Sequence, residues 1–235
     1  MANNDSFKIS IIIPVLNEAS TIARLLEHIL ATSSKENILE VLVVDGGSTD
    51  TTLEIVKKFN VKALTSKLGR AVQMNLGAKH AKGKILYFLH ADTLPPKNFD
   101  KIILGAYHKG FETGCFRMQF DSKNFFLRGF AYLSRINHTL CRGGDQSLFI
   151  SQRLFEKEKG FNEAYLIYED SEFIKRLYET TKFVVLKQSV VTSARKYRQK
   201  GWLYIQFHFG MIHLKNYLGA GPEELYQYYS KKIVT

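Results

Sequence analysis

Three acidic motifs each close or follow an apolar, β-type run: Pro14-Val15-Leu16-Asn17-Glu18 at the end of residues 9–15, Asp45-Gly46-Gly47-Ser48-Thr49-Asp50 after residues 40–44, and His90-Ala91-Asp92 after residues 85–89. A fourth site, Glu169-Asp170, comes late in the chain. If those runs are parallel strands of one open sheet, the residues at their carboxyl ends share a single crevice, where such sheets bind ligands. A divalent cation bridging phosphate oxygens needs few protein ligands, because phosphate and water supply the rest. The order of the sites therefore predicts a grip on a phosphorylated, metal-bound ligand.

Several of these residues carry two readings. Asp45 can accept hydrogen bonds from a base or a ribose, with Gly46-Gly47 permitting close backbone approach, but a strand-ending Asp also forms turns. Asn17 and Glu18 suit both a ligand pocket and a helix start. Asp92 suffices as a metal anchor, and His90, on the same side of an extended segment, either assists it or contacts the ribose. Gly69-Arg70, with Asn75, opens a helix whose N–H groups favour anions; Arg70 pairs with phosphate or fixes a carboxylate. The loop Arg142-Gly143-Gly144-Asp145-Gln146 is polar and glycine-containing, suited to closing over a ligand. Glu169 and Asp170, in a first helical turn, are also ordinary dipole partners.

Residues 9–100 carry the strand and helix alternation needed to position these groups. Ile22, Leu25, Leu26, Ile29 and Leu30 fall at the spacings of one buried helix face, with Ser20 or Thr21 as cap. A helix over 52–59, capped by Ser48 or Asp50, a weak strand over 61–64 and a helix from Arg70 through Ala78 follow, and Pro95-Pro96 stops the pattern. This predicts a parallel, right-handed, doubly wound sheet. Beyond residue 100 we expect helices over 102–108, 125–140 and 169–179 and strands over 115–120, 148–150 and 183–186. Residues 202–214 are apolar nearly all round a helix, so the core, a second subunit or a membrane interface must cover them.

No Gly/Ser-rich linker divides the 235 residues, so one domain is expected. Its parts are a nucleotide-binding half (1–100), an acceptor and catalytic half (101–200) and a helical extension (201–235). A hydrophobic fraction of 45% with 23% charged residues confines expected disorder to residues 1–6 and the last few. The net charge of +11 is uneven: residues 101–235 hold 21 Lys+Arg against 12 Asp+Glu, residues 1–100 hold 12 against 10. That surplus could attract phosphorylated ligands, anionic lipid headgroups or nucleic acid, and charge alone does not choose among them. Cys115 and Cys141 are too few for a disulfide framework. No signal peptide is read, and no apolar run approaches the roughly 20 residues that span a bilayer. A cytoplasmic protein is expected, with contact at the inner face of the membrane and homodimerisation as further expectations.

Taken in order, Pro14 with Asn17-Glu18, the segment Asp45 to Asp50, Gly69 to Asn75, His90-Ala91-Asp92 and Glu169-Asp170 resemble the family 2 glycosyltransferases of the GT-A fold. His-Ala-Asp stands where that family usually has Asp-x-Asp, and Gly144-Asp145-Gln146 precedes the acidic pair. The resemblance implies an α/β fold with a Rossmann-like, mostly parallel sheet flanked by helices, followed here by a helical, aromatic-rich C-terminal extension. It implies transfer of a sugar from a nucleotide diphosphate donor, UDP being expected, to an acceptor hydroxyl with inversion, with Mn2+ or Mg2+ as cofactor. By position, Asp45 would contact the base, and Pro14, Asn17, Glu18, Arg70 and His90 would form the rest of the nucleotide site. Asp92 would hold the metal, and Asp170 would be the general base. Arg142, Asp145, Gln146, Glu169 and Arg195 would serve the donor and acceptor loops. The Gln-x-x-Arg-Trp segment of processive synthases is missing, so a single-sugar transfer is expected. The acceptor is unknown, a lipid-linked one being compatible with the aromatic, basic second half. Two alternatives stay open: a degenerate nucleotide-binding module docked on a membrane or protein, and a sugar nucleotidyltransferase. No nucleic-acid reading module is apparent, so no nucleic-acid partner is expected.

Overall fold

The run Ile9–Val15 forms strand β1, buried along its whole length as a strand covered on both faces must be. Our computed structural model describes residues 7–234, so residues 1–6 and 235, part of the expected disordered ends, lie outside it. Helix α1 (Ile22–Thr32) buries Ile22, Leu25, Leu26 and Ile29. Leu30 was expected on that face but is 57% exposed, since at about 100° per residue it falls at the edge of the buried arc. Thr21 caps no helix N–H; its hydroxyl donates to Glu18 Oε2 at 2.8 Å.

Strand β2 (Ile38–Asp45), helix α2 (Thr52–Val56, shorter than expected), strand β3 (Lys62–Thr65), helix α3 (Arg70–His80) and strand β4 (Ile85–Phe88) complete the alternating half. β1 lies between β2 and β4, and β2 pairs with β3, all in parallel. The register sets Val15 beside Asp45, which brings the first two motifs to one edge. Residues of β1 alternate between two core layers: Ile9, Ile11 and Ile13 pack with α1, while Ile12 packs with Leu42 and with Met74 of α3.

A two-residue strand β5 (Thr93–Leu94), helix α4 (Phe99–His108), strand β6 (Thr113–Phe120) and helix α5 (Phe125–Leu133) follow. Next come strand β7 (Leu148–Ser151), helices α6 (Gln152–Lys157) and α7 (Glu169–Thr180), and strand β8 (Phe183–Thr192). The sheet order is β3-β2-β1-β4-β7-β6-β8-β5. β7 runs antiparallel to both β4 and β6, and β5 antiparallel to β8, so the sheet is mixed beyond its four parallel strands. The connection from β6 to β7 holds α5 and two 3-10 turns, Thr139–Cys141 and Gly144–Gln146, and returns the chain antiparallel to β6.

The helix expected over 125–140 ends at Leu133. Ser134 is buried there, its hydroxyl donating to Ala131 O at 2.5 Å and accepting from Met118 N at 3.1 Å. The next carbonyls, of Ser134 and Ile136, accept from the Arg142 guanidinium, which turns the chain inward. Helices α8 (Arg195–Lys200), α9 (Trp202–Tyr217) and α10 (Pro222–Tyr229) follow, then a π-helical turn at Ser230–Val234. α9 is only partly covered: Ile205 and Ile212 pack with Leu225 of α10, while Leu203 and Phe207 stay exposed. Among the described residues no helix is long and apolar enough to cross a membrane.

Candidate active site

Asp45 ends β2 with 1% exposure. Its carboxylate accepts from Gly47 N at 2.9 Å, Ser48 N at 3.0 Å and Ser48 Oγ at 2.5 Å. Asn17, in the left-handed region at φ 54°, reaches over from the β1 loop. Its side-chain oxygen accepts from Thr49 N at 2.8 Å, and its own N–H donates to Ser48 Oγ at 2.9 Å. These two side chains knit the loops after β1 and β2 into one floor. Gln73, buried on α3, finishes it by donating to Val15 O at 2.8 Å and Val44 O at 2.7 Å. The sequence reading missed Gln73. Its signal was a polar residue on a helix face otherwise made of Ala71, Met74 and Ala78.

Arg70 opens α3 with Nε 2.6 Å from Glu169 Oε1, so the carboxylate is its partner here. Glu169 is fully buried at the start of α7, and neither oxygen has an aligned hydrogen bond. Burial therefore raises its pKa against the pull of Arg70. Asp170, next along, is held below the usual carboxylate range: burial would raise it, but His90 and Arg70 outweigh burial.

His90 supplies the contrast, standing between two carboxylates. Its Nδ1 is 3.7 Å from Asp145 Oδ1 and its Nε2 is 3.5 Å from Asp170 Oδ2. Burial alone would lower its pKa, yet the two carboxylates raise it to about 10, which makes the ring cationic at neutral pH. Gly144 passes so close that a Cβ there would lie 2.0 Å from Asp170 Oδ2.

Two cavities meet at this cluster. One, of about 360 Å³, is lined by Pro14, Glu18, Gly69 and Gln73. The other, of about 320 Å³, is lined by Asp170, Cys141, Gln146 and His213. Arg70, His90, Asp92, Asp145, Arg195 and Lys196 belong to both. Asn17, Asp45 and Glu169 line neither. Arg195 Nη2 lies 3.1 Å from Glu18 Oε1, tying α8 to the β1 loop. Tyr168, at φ 71° before α7, hydrogen-bonds His213 Nδ1 at 3.1 Å and ties α7 to α9.

Arg142 and Gln146 edge the second cavity but spend their polar groups inward. Besides the carbonyls of Ser134, Ile136 and His138, Arg142 donates to Cys115 Sγ at 3.3 Å and to Gln146 Oε1, and Gln146 Nε2 donates to Cys141 O at 2.6 Å.

Among the described residues no three His, Cys, Asp or Glu side chains are grouped to hold a metal unaided. Asp92 is half-buried on the shared wall, its carboxyl raised by burial and then by repulsion from Asp145. Such a carboxylate, in the negative field of Asp145 and Glu18, fits a hard divalent cation whose remaining positions are filled by phosphate oxygens and water.

Comparison with known proteins places this geometry. The model of the family Glycosyl transferase family 2 matches residues 10–167. Glycosyltransferase AglE of Haloferax volcanii is 37% identical over 94 residues, 37% of this chain and 31% of that protein, so the match spans about a third of the relative's length. The fold superposes on S. aureus TarS 1–349 in complex with UDP at a TM-score of 0.64, with 22% identity over 79% of this chain and 60% of that one. It superposes on mannosyltransferase PcManGT from Pyrobaculum calidifontis, in complex with GDP-Man and Mn2+, at 0.68, with 18% identity over 97% and 68% of the two chains. With a family match running from β1 to the threshold of α7 on a GT-A sheet, the chain belongs to glycosyl transferase family 2.

Proposed function

We propose that the enzyme transfers one sugar from a UDP-linked donor to an acceptor hydroxyl with inversion. The observation that carries the reading is the pair of cavities: Pro14, Glu18 and Gln73 line only the first, Asp170 lines only the second, and His90, Asp92 and Asp145 stand between them. The donor would lie in the first and the acceptor in the second. The low pKa direction of Asp170 keeps it ionised, so it can take the acceptor proton as the acceptor oxygen bonds the anomeric carbon and the bond from that carbon to the diphosphate breaks. Protonated His90 holds Asp170 in place, and Arg195 and Lys196 sit where negative charge develops on the leaving diphosphate. Mn2+ or Mg2+, held by Asp92, would stabilise that leaving group as a Lewis acid. TarS with UDP and PcManGT with Mn2+ support the donor and metal assignments by likeness of fold. The two free thiols, Cys115 and Cys141, fit a reducing compartment, and the cytoplasm is the proposed location.

The test is thermal stability against nucleoside diphosphates and nucleotide sugars, with and without Mn2+ or Mg2+. A ligand at 100 times its Kd adds about 2.7 kcal/mol. We expect a metal-dependent shift with a uridine nucleotide, abolished in Asp92→Ala and kept in Asp170→Asn, which loses turnover. An unchanged shift in Asp92→Ala would remove Asp92 as the metal anchor.

A further inference from the structure

Five arginines of this chain, at positions 70, 153, 176, 195 and 198, each pair with a carboxylate. Arg117, Arg128 and Arg135, like Arg24 and Arg142, have no such partner among the described residues, and Arg135 lies over the Tyr132 ring at 4.4 Å. Arg117, Arg128 and Arg135 converge on a separate cavity of about 500 Å³ between β6 and α5. Arg117 Nε is buried with no hydrogen-bond partner. Three guanidinium groups around one cavity, one with an unused buried donor, suit a phosphate group.

The surface beside that cavity is apolar. Phe125 lines it and is 79% exposed, and Phe126, 53% exposed, stacks on Trp202 at 4.1 Å. On the same segment Phe130, Leu133 and Leu140 line the cavity that holds Asp170. Exposed rings next to cations match a bilayer interface, where rings enter the acyl boundary and cations meet phosphates. A second copy docked face to face would set arginine against arginine, which is unfavourable.

We infer that α5 docks the enzyme on an anionic phospholipid surface, with a lipid phosphate seated among Arg117, Arg128 and Arg135. Docking in that way sets the Asp170 cavity beside the lipid, so that an acceptor with an apolar tail lies along Phe130 and Leu133 and presents its hydroxyl to Asp170. The acceptor part rests on the transferase reading above; the docking itself does not.

The experiment is vesicle co-sedimentation of the full chain at low salt, with phosphatidylcholine alone and with phosphatidylglycerol added. Wild type is expected to pellet only with the anionic vesicles. Arg128→Glu/Arg135→Glu and Phe125→Ser/Phe126→Ser are each expected to bind at least about tenfold more weakly, the scale of removing two basic groups or two inserted rings from a membrane surface. Three results would overturn the inference: wild type remaining in the supernatant with both vesicles, both double variants pelleting like wild type, or a dimer in velocity sedimentation that Phe125→Ser/Phe126→Ser dissolves. A thermal shift with inorganic phosphate, lost in Arg128→Glu/Arg135→Glu while vesicles bind nothing, would overturn it in favour of a soluble anion. The nucleotide-dependent thermal shift, measured on each variant, confirms folding and reports on the donor site separately.

Discussion

Gly144→Ala is expected to disable catalysis while leaving the donor site intact. Gly144 has no positive φ that a side chain would strain, so its effect is steric. The added Cβ would stand 2.0 Å from Asp170 Oδ2 and 2.5 Å from His90 Cε1, where real contacts begin near 3.0 Å, so one side must retreat by about 1 Å. Asp170 is 8% exposed and held by His90, which leaves it little room to yield without losing that ion pair. A misplacement of about 1 Å near the chemistry costs about 100-fold in rate, or about 2.7 kcal/mol of activation free energy. Overpacking of this kind costs about 1–3 kcal/mol in stability. The assay is release of nucleoside diphosphate from the sugar nucleotide selected by the thermal-shift panel, with the donor-induced shift measured alongside. Turnover within threefold of wild type would refute the steric argument. Loss of the donor-induced shift would show instead that Gly144 serves the other cavity.

Three further outcomes are expected. Gln73→Leu strips donors from the buried Val15 and Val44 carbonyls and should cost about 3 kcal/mol in urea unfolding; a cost below about 1 kcal/mol would mean water replaces the amide. Arg142→Met frees the carbonyls of Ser134 and Ile136 and should cost a similar amount, about 2–4 kcal/mol, with nucleotide binding retained. The pKa of His90 is raised from 6.5 to about 10, so its ion pairs stabilise the fold fully below pH 6.5 and lose that contribution as pH rises toward 10. The melting-temperature gap between wild type and His90→Gln should therefore narrow across that interval, and a gap that stays constant or widens would contradict the pairing.

The first half of the fold was readable because its signals are local. An apolar stretch bounded by Asn17-Glu18 or Asp45-Gly46 is a strand and a strand end wherever it packs, and β1 follows its expected bounds. Leu30 and the helix expected over 125–140 show where periodicity stops informing. Leu30 fits the face by spacing but lies at its rim, and α5 ends at Leu133 because of a partner, Arg142, that pattern reading does not supply.

The sequence by itself determined the parallel strands β1 to β4, the helices between them and the acidic residues at their ends, since hydrophobic period and turn chemistry act between near neighbours. Only the tertiary structure decided what each polar side chain meets. It turned Asp45 and Asn17 into the loop floor, Arg142 and Gln146 toward the interior, and Arg70 onto Glu169. It also set His90 between Asp145 and Asp170. Hydrogen bonds and ion pairs form over a few ångströms, and those separations are fixed by how α3, α7 and the β4 loop pack, not by their order along the chain.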